Sequence, residues 1–135
     1  MIDSLVEGLS LSDKLSNIKD IYSLRIDGYK NGNTLDLSKY TNLTTLELID
    51  ITTLPSVSIS NNDFDLIYLD NCDSILSSFF TEKTFNYKTS TLKIKNNNLS
   101  SIIINSTSNV SNLEIDNLTE LLELSFTTLI DKPSI

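Results

Sequence analysis

The chain has no alanine, glutamine, histidine or tryptophan, and its 135 residues include only one cysteine, two prolines and three glycines. Alanine is the strongest helix former, so a mainly helical domain built without it would be unusual. The abundant residues favour strands (Ile, Thr, Tyr, Phe and Val) or turns (Asn, Ser and Asp). The composition therefore predicts a mainly β protein, and the length suits a single domain.

The missing histidine also removes the commonest catalytic arrangements. Without an imidazole there is no Ser-His-Asp or Cys-His pair and no histidine metal ligand. The single cysteine excludes an internal disulfide, and Cys72 lies at a core-facing position, where a small buried hydrophobe is expected. Three glycines, at positions 8, 28 and 32, make no phosphate-binding loop. We expect a protein that is not an enzyme and binds no cofactor.

One acidic segment is worth testing as a calcium loop, because Asn61, Asp63 and Asp65 place oxygen atoms at alternate positions. Leu66, however, stands where the turn of an EF-hand requires glycine, and Cys72 stands where it requires glutamate. We therefore expect no metal site and interpret these carboxylates as solvated corner residues.

Negative charge dominates the chain, with 18 Asp and Glu against 10 Lys and Arg, for a net charge of −8. This balance disfavours binding to nucleic-acid phosphates or anionic membranes, which requires basic residues. It suits a basic protein partner or serves solubility alone.

Residues 1–11 carry acids where a secretory signal needs positive charge, and no stretch approaches the ~20 apolar residues of a membrane span. We expect a cytoplasmic location.

An apolar-x-x-apolar-x-apolar phrase occurs five times. Its first positions are Ile21, Leu43, Phe64, Thr89 and Val110, which gives spacings of 22, 21, 25 and 21 residues. A nearly fixed period indicates a stack of similar coils, each covering the apolar strands of its neighbours. The sequence predicts four to five coils over residues 18–129.

The best-preserved copy is LKIKNNNL, from Leu92 to Leu99. It resembles the leucine-rich repeat, L-x-x-L-x-L-x-x-N/C-x-L, with Asn97 at the asparagine position of that family. Cys72 occupies the same position one coil earlier, and cysteine is the accepted substitute. The other coils depart from the pattern there, with Tyr29, Ile51 and Leu118. The resemblance implies a parallel solenoid whose strand face is the usual surface for binding a partner protein.

A second apolar pair follows the first strand, in most coils about 11 residues later. The pairs are Leu35 and Leu37, Val57 and Ile59, Phe79 and Phe80, Ile102 and Ile104, and Leu124 and Phe126. Alternation of this kind is typical of a strand with one buried face. We predict a small parallel β-solenoid with two strands per coil and two sheets around one apolar interior. A closed β-helix with five-residue faces, suggested by Asn112-Leu113 and Asn117-Leu118, is the alternative fold.

Both ends of such a stack need covering. Within residues 1–17, Ile2, Leu5, Val6 and Leu9 keep helical spacing and predict a short capping helix. No comparable segment follows Leu129, because residues 130–135 form only a short tail. Either residues 120–131 close the stack alone, or a second copy or another partner pairs with the open strand edge. We therefore include a homo-oligomer through the C-terminal end among the expected assemblies.

The third coil is irregular, because the 25-residue spacing falls there. Its segment from Ser77 to Thr89 contains Phe79, Phe80, Phe85 and Tyr87. We favour a bulged loop folded back on the core, and the alternative is an exposed aromatic binding patch.

The residues between the apolar positions of each first strand point outward, and stacking aligns them in columns. The first column is predicted to hold Arg25, Glu47, Tyr68, Lys93 and Glu114. The second is predicted to hold Asp27, Ile49, Asp70, Lys95 and Asp116. With Tyr68 and Ile49 near the centre as anchors, these columns predict a non-catalytic protein-binding face. The alternative function is a small acidic inhibitor, of phage or mobile-element type, that mimics nucleic acid and blocks the basic channel of a host enzyme.

Overall fold

The computed structural model of the chain describes residues 2–6, 21–30, 34–61, 63–104 and 110–126. These residues form a mainly β structure, a parallel β-solenoid of about four turns. The strands are β1 Ile2–Val6, β2 Ser23–Asp27, β3 Thr34–Asp36, β4 Thr45–Ile49, β5 Ser56–Ser58, β6 Asp63–Asp70, β7 Phe80–Thr81, β8 Thr84–Phe85, β9 Lys88–Lys95, β10 Ser101–Ile104, β11 Val110–Asp116 and β12 Glu123–Phe126. A 3₁₀ helix spans Asp73–Ser78.

The repeated phrases form one six-stranded parallel sheet, the front sheet, in the order β1-β2-β4-β6-β9-β11. Its strands are paired at offsets of 21, 22, 21, 25 and 21 residues, so neighbouring strands lie one coil length apart in the chain. The predicted parallel solenoid is confirmed. The alternative with five-residue faces is wrong, because the front strands β6 and β9 are each eight residues long.

The core lies directly behind the front sheet. One inward column, Leu24, Leu46, Ile67, Leu92 and Leu113, has no exposed surface at all. Each such side chain contributes about 1.5–3 kcal/mol through burial. No coil could bury these residues alone, so the stack is stabilised by contacts between neighbouring coils.

The back of the solenoid is divided into two sheets. The first back sheet pairs β3 with β5 in parallel, and the second back sheet has the order β12-β10-β8-β7. Two strands per coil is therefore confirmed for the coils that contain β3, β5, β10 and β12.

The third coil departs from this plan, and the prediction of a strand at Phe79 and Phe80 is wrong in part. A 3₁₀ helix occupies most of that place, Phe79 follows its last residue, and Phe80 begins the short strand β7. The physical reason is the spacing of Ile75, Leu76, Phe79 and Phe80, which is helical rather than alternating. The helix still attaches to the first back sheet, because the backbone N–H of Val57 donates to Ser78 Oγ at 2.9 Å.

The aromatic segment is folded back on the core, as predicted, and the alternative of an exposed aromatic patch is wrong. Strands β7 and β8 form an antiparallel hairpin, and Phe79, Phe80 and Phe85 are all buried. The ring of Tyr87 packs edge-on against Phe64 with centroids 6.0 Å apart. Edge-to-face contacts of this kind add to the stabilisation from burial.

The predicted N-terminal capping helix is wrong for residues 2–6. Ile2–Val6 form β1, which pairs in parallel with β2 from Ile2 opposite Ser23 to Val6 opposite Asp27. Without β1, the edge of β2 would have unpaired N–H and C=O groups, which attract a further strand. A short isolated helix, by contrast, is marginally stable in water. Leu9 and the remainder of the predicted cap lie outside the described residues, as does the predicted tail at 130–135.

A candidate binding face on the front sheet

The strand register creates the two predicted outward columns. Cross-strand pairing aligns Arg25, Glu47, Tyr68, Lys93 and Glu114 in the first column. It aligns Asp27, Ile49, Asp70, Lys95 and Asp116 in the second column. We call these ten residues the front face. All nine residues predicted as partner-binding lie on it, together with Asp27.

Three ion pairs cross between neighbouring strands of the front face. Arg25 Nη1 lies 3.8 Å from Glu47 Oε2, Lys93 Nζ lies 3.9 Å from Glu114 Oε2, and Lys95 Nζ lies 3.7 Å from Asp116 Oδ2. Solvent-exposed pairs of this kind stabilise a fold by only about 0–1 kcal/mol each. Their main effect here is to orient the charged side chains on the sheet.

Tyr68 and Asp70 form the best-defined polar contact of the front face. The Tyr68 hydroxyl donates to Asp70 Oδ2 at 2.8 Å along the same strand. Partial burial and the neighbouring Asp70 carboxylate raise the pKa of Tyr68 to about 12. The phenol therefore stays neutral and is held in one orientation at neutral pH.

A shallow depression of about 350 Å³ lies on the C-terminal half of this face. It is lined by Glu47, Tyr68, Lys93, Ile94, Lys95, Glu114, Ile115 and Asp116. Six predicted residues thus share one concavity, whereas Arg25, Ile49 and Asp70 are not part of its lining. Ile49 is only 8% exposed despite its outward strand position, so it offers little surface to a partner.

Sequence reasoning missed a polar column at the corner that follows the front face. Gly28, Asp50, Asn71, Asn96 and Asn117 all have positive φ, between 51° and 70°. Side-chain hydrogen bonds connect the coils there, from Asn71 to Asp50 at 2.9 Å and from Asn117 to Asn96 at 2.6 Å. The signal was available, since only Gly, Asp or Asn follows the last residue of β2, β4, β6, β9 and β11, and these residues tolerate left-handed backbone.

A second depression, of about 260 Å³, lies beside this corner. It is lined by Asp73, Asn96, Asn97, Asn98, Asn117, Thr119 and Glu120. Asp73 uses one carboxylate oxygen to accept the backbone N–H of Asn98 at 2.6 Å. Within the described ranges, no three His, Cys, Asp or Glu side chains converge on a site that could hold a metal ion.

On the buried side of the repeat, Asn97 bridges two neighbouring coils. Asn97 is 4% exposed, donates to the Leu69 carbonyl at 2.8 Å and accepts the backbone N–H of Cys72 at 2.7 Å. Cys72 itself is fully buried, as predicted. Burial, with the nearby Asp73 and Asp70 carboxylates, raises the pKa of its thiol above the ordinary range.

The C-terminal end of the described chain has open edges at β11 and β12. Leu118, Leu121 and Leu124 are only partly buried, and Leu122 is 90% exposed. Residues 127–135 lie outside the described residues. Self-association through this end stays a prediction.

No family model, curated protein or solved structure matches the chain. The class of protein is defined by its fold, a parallel β-solenoid built from coils of 21 to 25 residues. Across the described part of the chain, no helix is long and apolar enough to cross a membrane.

Proposed function

We propose that the protein is a non-catalytic binding module that recognises a protein partner through the front face. The observation that supports this proposal is the concavity of about 350 Å³ formed by six outward side chains of the two columns. These side chains stand on hydrogen-bonded strands, so little backbone freedom is lost when a partner binds.

The chemistry of the face suits recognition of another protein. Tyr68 lies between Glu47 and Lys93 in the first column, and tyrosine is among the residues enriched at binding hot spots. The charged residues around it provide steering and select against partners of the wrong charge. The partner we propose therefore combines charged groups of both signs with a contact for an aromatic ring.

We also propose that the solenoid is a divergent relative of the leucine-rich repeats. The buried Asn97 bridge to Leu69 and Cys72 supports this relationship, because it stands at the asparagine position of the family pattern. Among the described residues, the other coils hold largely apolar side chains at this position, so this bridge joins the third and fourth coils. A cytoplasmic location stays a prediction.

The acidic-inhibitor alternative also stays a prediction, and the front face gives it less support. A mimic of nucleic acid needs a continuous array of negative charge. Lys95 stands between Asp70 and Asp116 in the second column, and Lys93 stands between Tyr68 and Glu114 in the first. These two lysines interrupt such an array. We therefore prefer the protein-binding function.

Photo-crosslinking tests the proposal. A photoreactive residue is placed at Lys93 on the front face or at Lys83 in the β7–β8 turn, and partners are identified from cell extract by mass spectrometry. The partner captured at position 93 is then purified and titrated against variants of the chain. We expect Tyr68→Ala and Lys95→Glu to weaken its binding at least tenfold.

Matched controls are Tyr22→Ala, at an exposed tyrosine outside the face, and Lys83→Glu, at an exposed hairpin lysine. Both should bind like the wild type, and thermal unfolding should show that all variants are folded. Equal crosslinking from positions 93 and 83, or undiminished binding by Tyr68→Ala and Lys95→Glu, would contradict the proposal.

A further inference from the structure

Charge on the front sheet is arranged in bands that follow single strands. Strand β9 carries Lys88, Lys93 and Lys95, and these lysines are aligned with Asp63, Tyr68 and Asp70 of the neighbouring β6. Asp63 and Lys88 are both exposed. Each lysine of the basic strand thus has an acidic or aromatic counterpart in direct register on the adjacent strand.

From this register we infer that the front face binds a second copy of the chain, in a two-fold dimer whose axis runs along the strands between β6 and β9. This inference rests on the proposed function of the face. A rotation about that axis exchanges β6 and β9 between the copies, so each band lies opposite its complement. It also keeps all strands in the same direction, which matches the aligned class of sheets packed face to face.

The pairing at the centre of such a dimer follows directly from the alignment. Lys88 of one copy faces Asp63 of the partner subunit, and Lys95 faces Asp70 of the partner subunit. Lys93 faces Tyr68 of the partner subunit, where an ammonium group over the ring gains a cation–π attraction. The symmetry makes every contact occur twice.

The size of the face sets the expected strength. Only β4, β6, β9 and β11 overlap about this axis. Four strands about 4.8 Å apart and seven residues about 3.3 Å apart give a shared surface of about 19 Å by 23 Å. Two such surfaces bury roughly 900 Å² in total, which falls in the class of small, reversible interfaces. The dimer should therefore be weak and reversible.

The same rotation brings one unfavourable pair together at the rim. Strand β11 lies opposite β4 of the partner subunit, so Glu114 faces the partner's Glu47. Like charges in such a position weaken association. Reversing Glu114 to lysine converts both copies of this contact into attraction, so Glu114→Lys is expected to tighten the dimer.

Sedimentation velocity of the purified full chain over a concentration series tests the inference. The wild type should form a reversible dimer, and Glu114→Lys should lower its Kd about tenfold. Glu120→Lys, which makes the same charge change at the corner, is the matched control and should leave the Kd within about twofold. A wild type that stays monomeric up to millimolar concentration, or equal tightening by both variants, would overturn the inference.

A charge swap provides the second arm. Lys88→Glu/Lys95→Glu and Asp63→Lys/Asp70→Lys should each be monomeric, and an equimolar mixture of the two should dimerise again. If Asp70→Lys unfolds the chain, the single variants Lys88→Glu and Asp63→Lys provide the same test. A mixture that stays monomeric overturns the inference. A foreign protein captured by the front face of a strictly monomeric chain would also overturn it, while leaving the proposed function intact.

Discussion

The side-chain carbonyl of Asn97 accepts a hydrogen bond from the backbone N–H of Cys72, 25 positions earlier in the chain, at a distance of 2.7 Å. Both residues are buried, so this bond and the bond from Asn97 to Leu69 satisfy backbone groups that water does not reach. The coil before that of Cys72 holds Ile51 at the equivalent position, and the coil after that of Asn97 holds Leu118. An apolar side chain is therefore sterically acceptable at position 97. It would, however, leave the Cys72 N–H and the Leu69 carbonyl without their hydrogen-bond partner.

Replacing Asn97 with leucine separates hydrogen bonding from packing. We expect Asn97→Leu to lower the free energy of unfolding by about 2–4 kcal/mol, because a donor and an acceptor lose their partners in the core. Chemical denaturation measures the loss. Asn98→Ala, at the exposed neighbouring residue, is the control and should change stability by less than about 0.5 kcal/mol. An Asn97→Leu protein as stable as the wild type would show that the bridge contributes nothing.

The corner column makes a different prediction at Gly28, whose φ is +70°. A Cβ added there meets no atom within 4 Å, so only backbone strain opposes substitution. We expect Gly28→Asn to be more stable than Gly28→Ala by about 1 kcal/mol, since asparagine tolerates left-handed backbone. Thermal or urea unfolding of the two variants gives the comparison. Equal stability would mean that backbone conformation is not limiting at this corner.

The Tyr68 phenol should titrate late. Its pKa is raised from 10.0 to about 12, first by burial and then by the hydrogen bond to Asp70. A raised pKa means that its contribution to stability is complete below pH 10 and is lost as the pH rises through about 12. Ultraviolet absorbance of the phenolate, compared between wild type and Tyr68→Phe, isolates this group. Asp70→Asn should lower the pKa, and an unchanged value would show that the carboxylate has no influence.

Cys72 should be inert in the folded protein. Its side chain has no exposed surface, and its raised pKa keeps the reactive thiolate scarce at neutral pH. We expect a thiol reagent to modify no cysteine in the native state and to modify one after unfolding in denaturant. Rapid modification without denaturant would mean that the third coil opens on its own.

The front sheet could be predicted closely because it depends on a simple pattern. Alternation places Leu24, Leu46 and Ile67 in the core, and a constant period then fixes which outward residues become neighbours. For this reason the sequence predicts that Arg25 and Glu47 lie side by side, and the structure pairs them at 3.8 Å.

The parts that sequence reasoning missed depend on competition between local and tertiary preferences. Ile2, Leu5 and Val6 have helical spacing, but the free edge of β2 offers more hydrogen bonds than a short helix does. The outward position of Ile49 was correct, whereas its near-complete burial depends on neighbouring side chains, which strand alternation does not describe.

The division of the back of the solenoid affects its mechanics. The front sheet runs without interruption through all its strands, whereas the two back sheets are joined at the third coil by a 3₁₀ helix and by side-chain contacts such as that of Ser78. A stack of coils resists bending where strands are hydrogen-bonded on both the front and the back. It bends most readily where the back sheets are not joined by strand pairing. The third coil is therefore the compliant point of the stack, and flexing there changes the curvature of the surface that carries Tyr68 and Lys93.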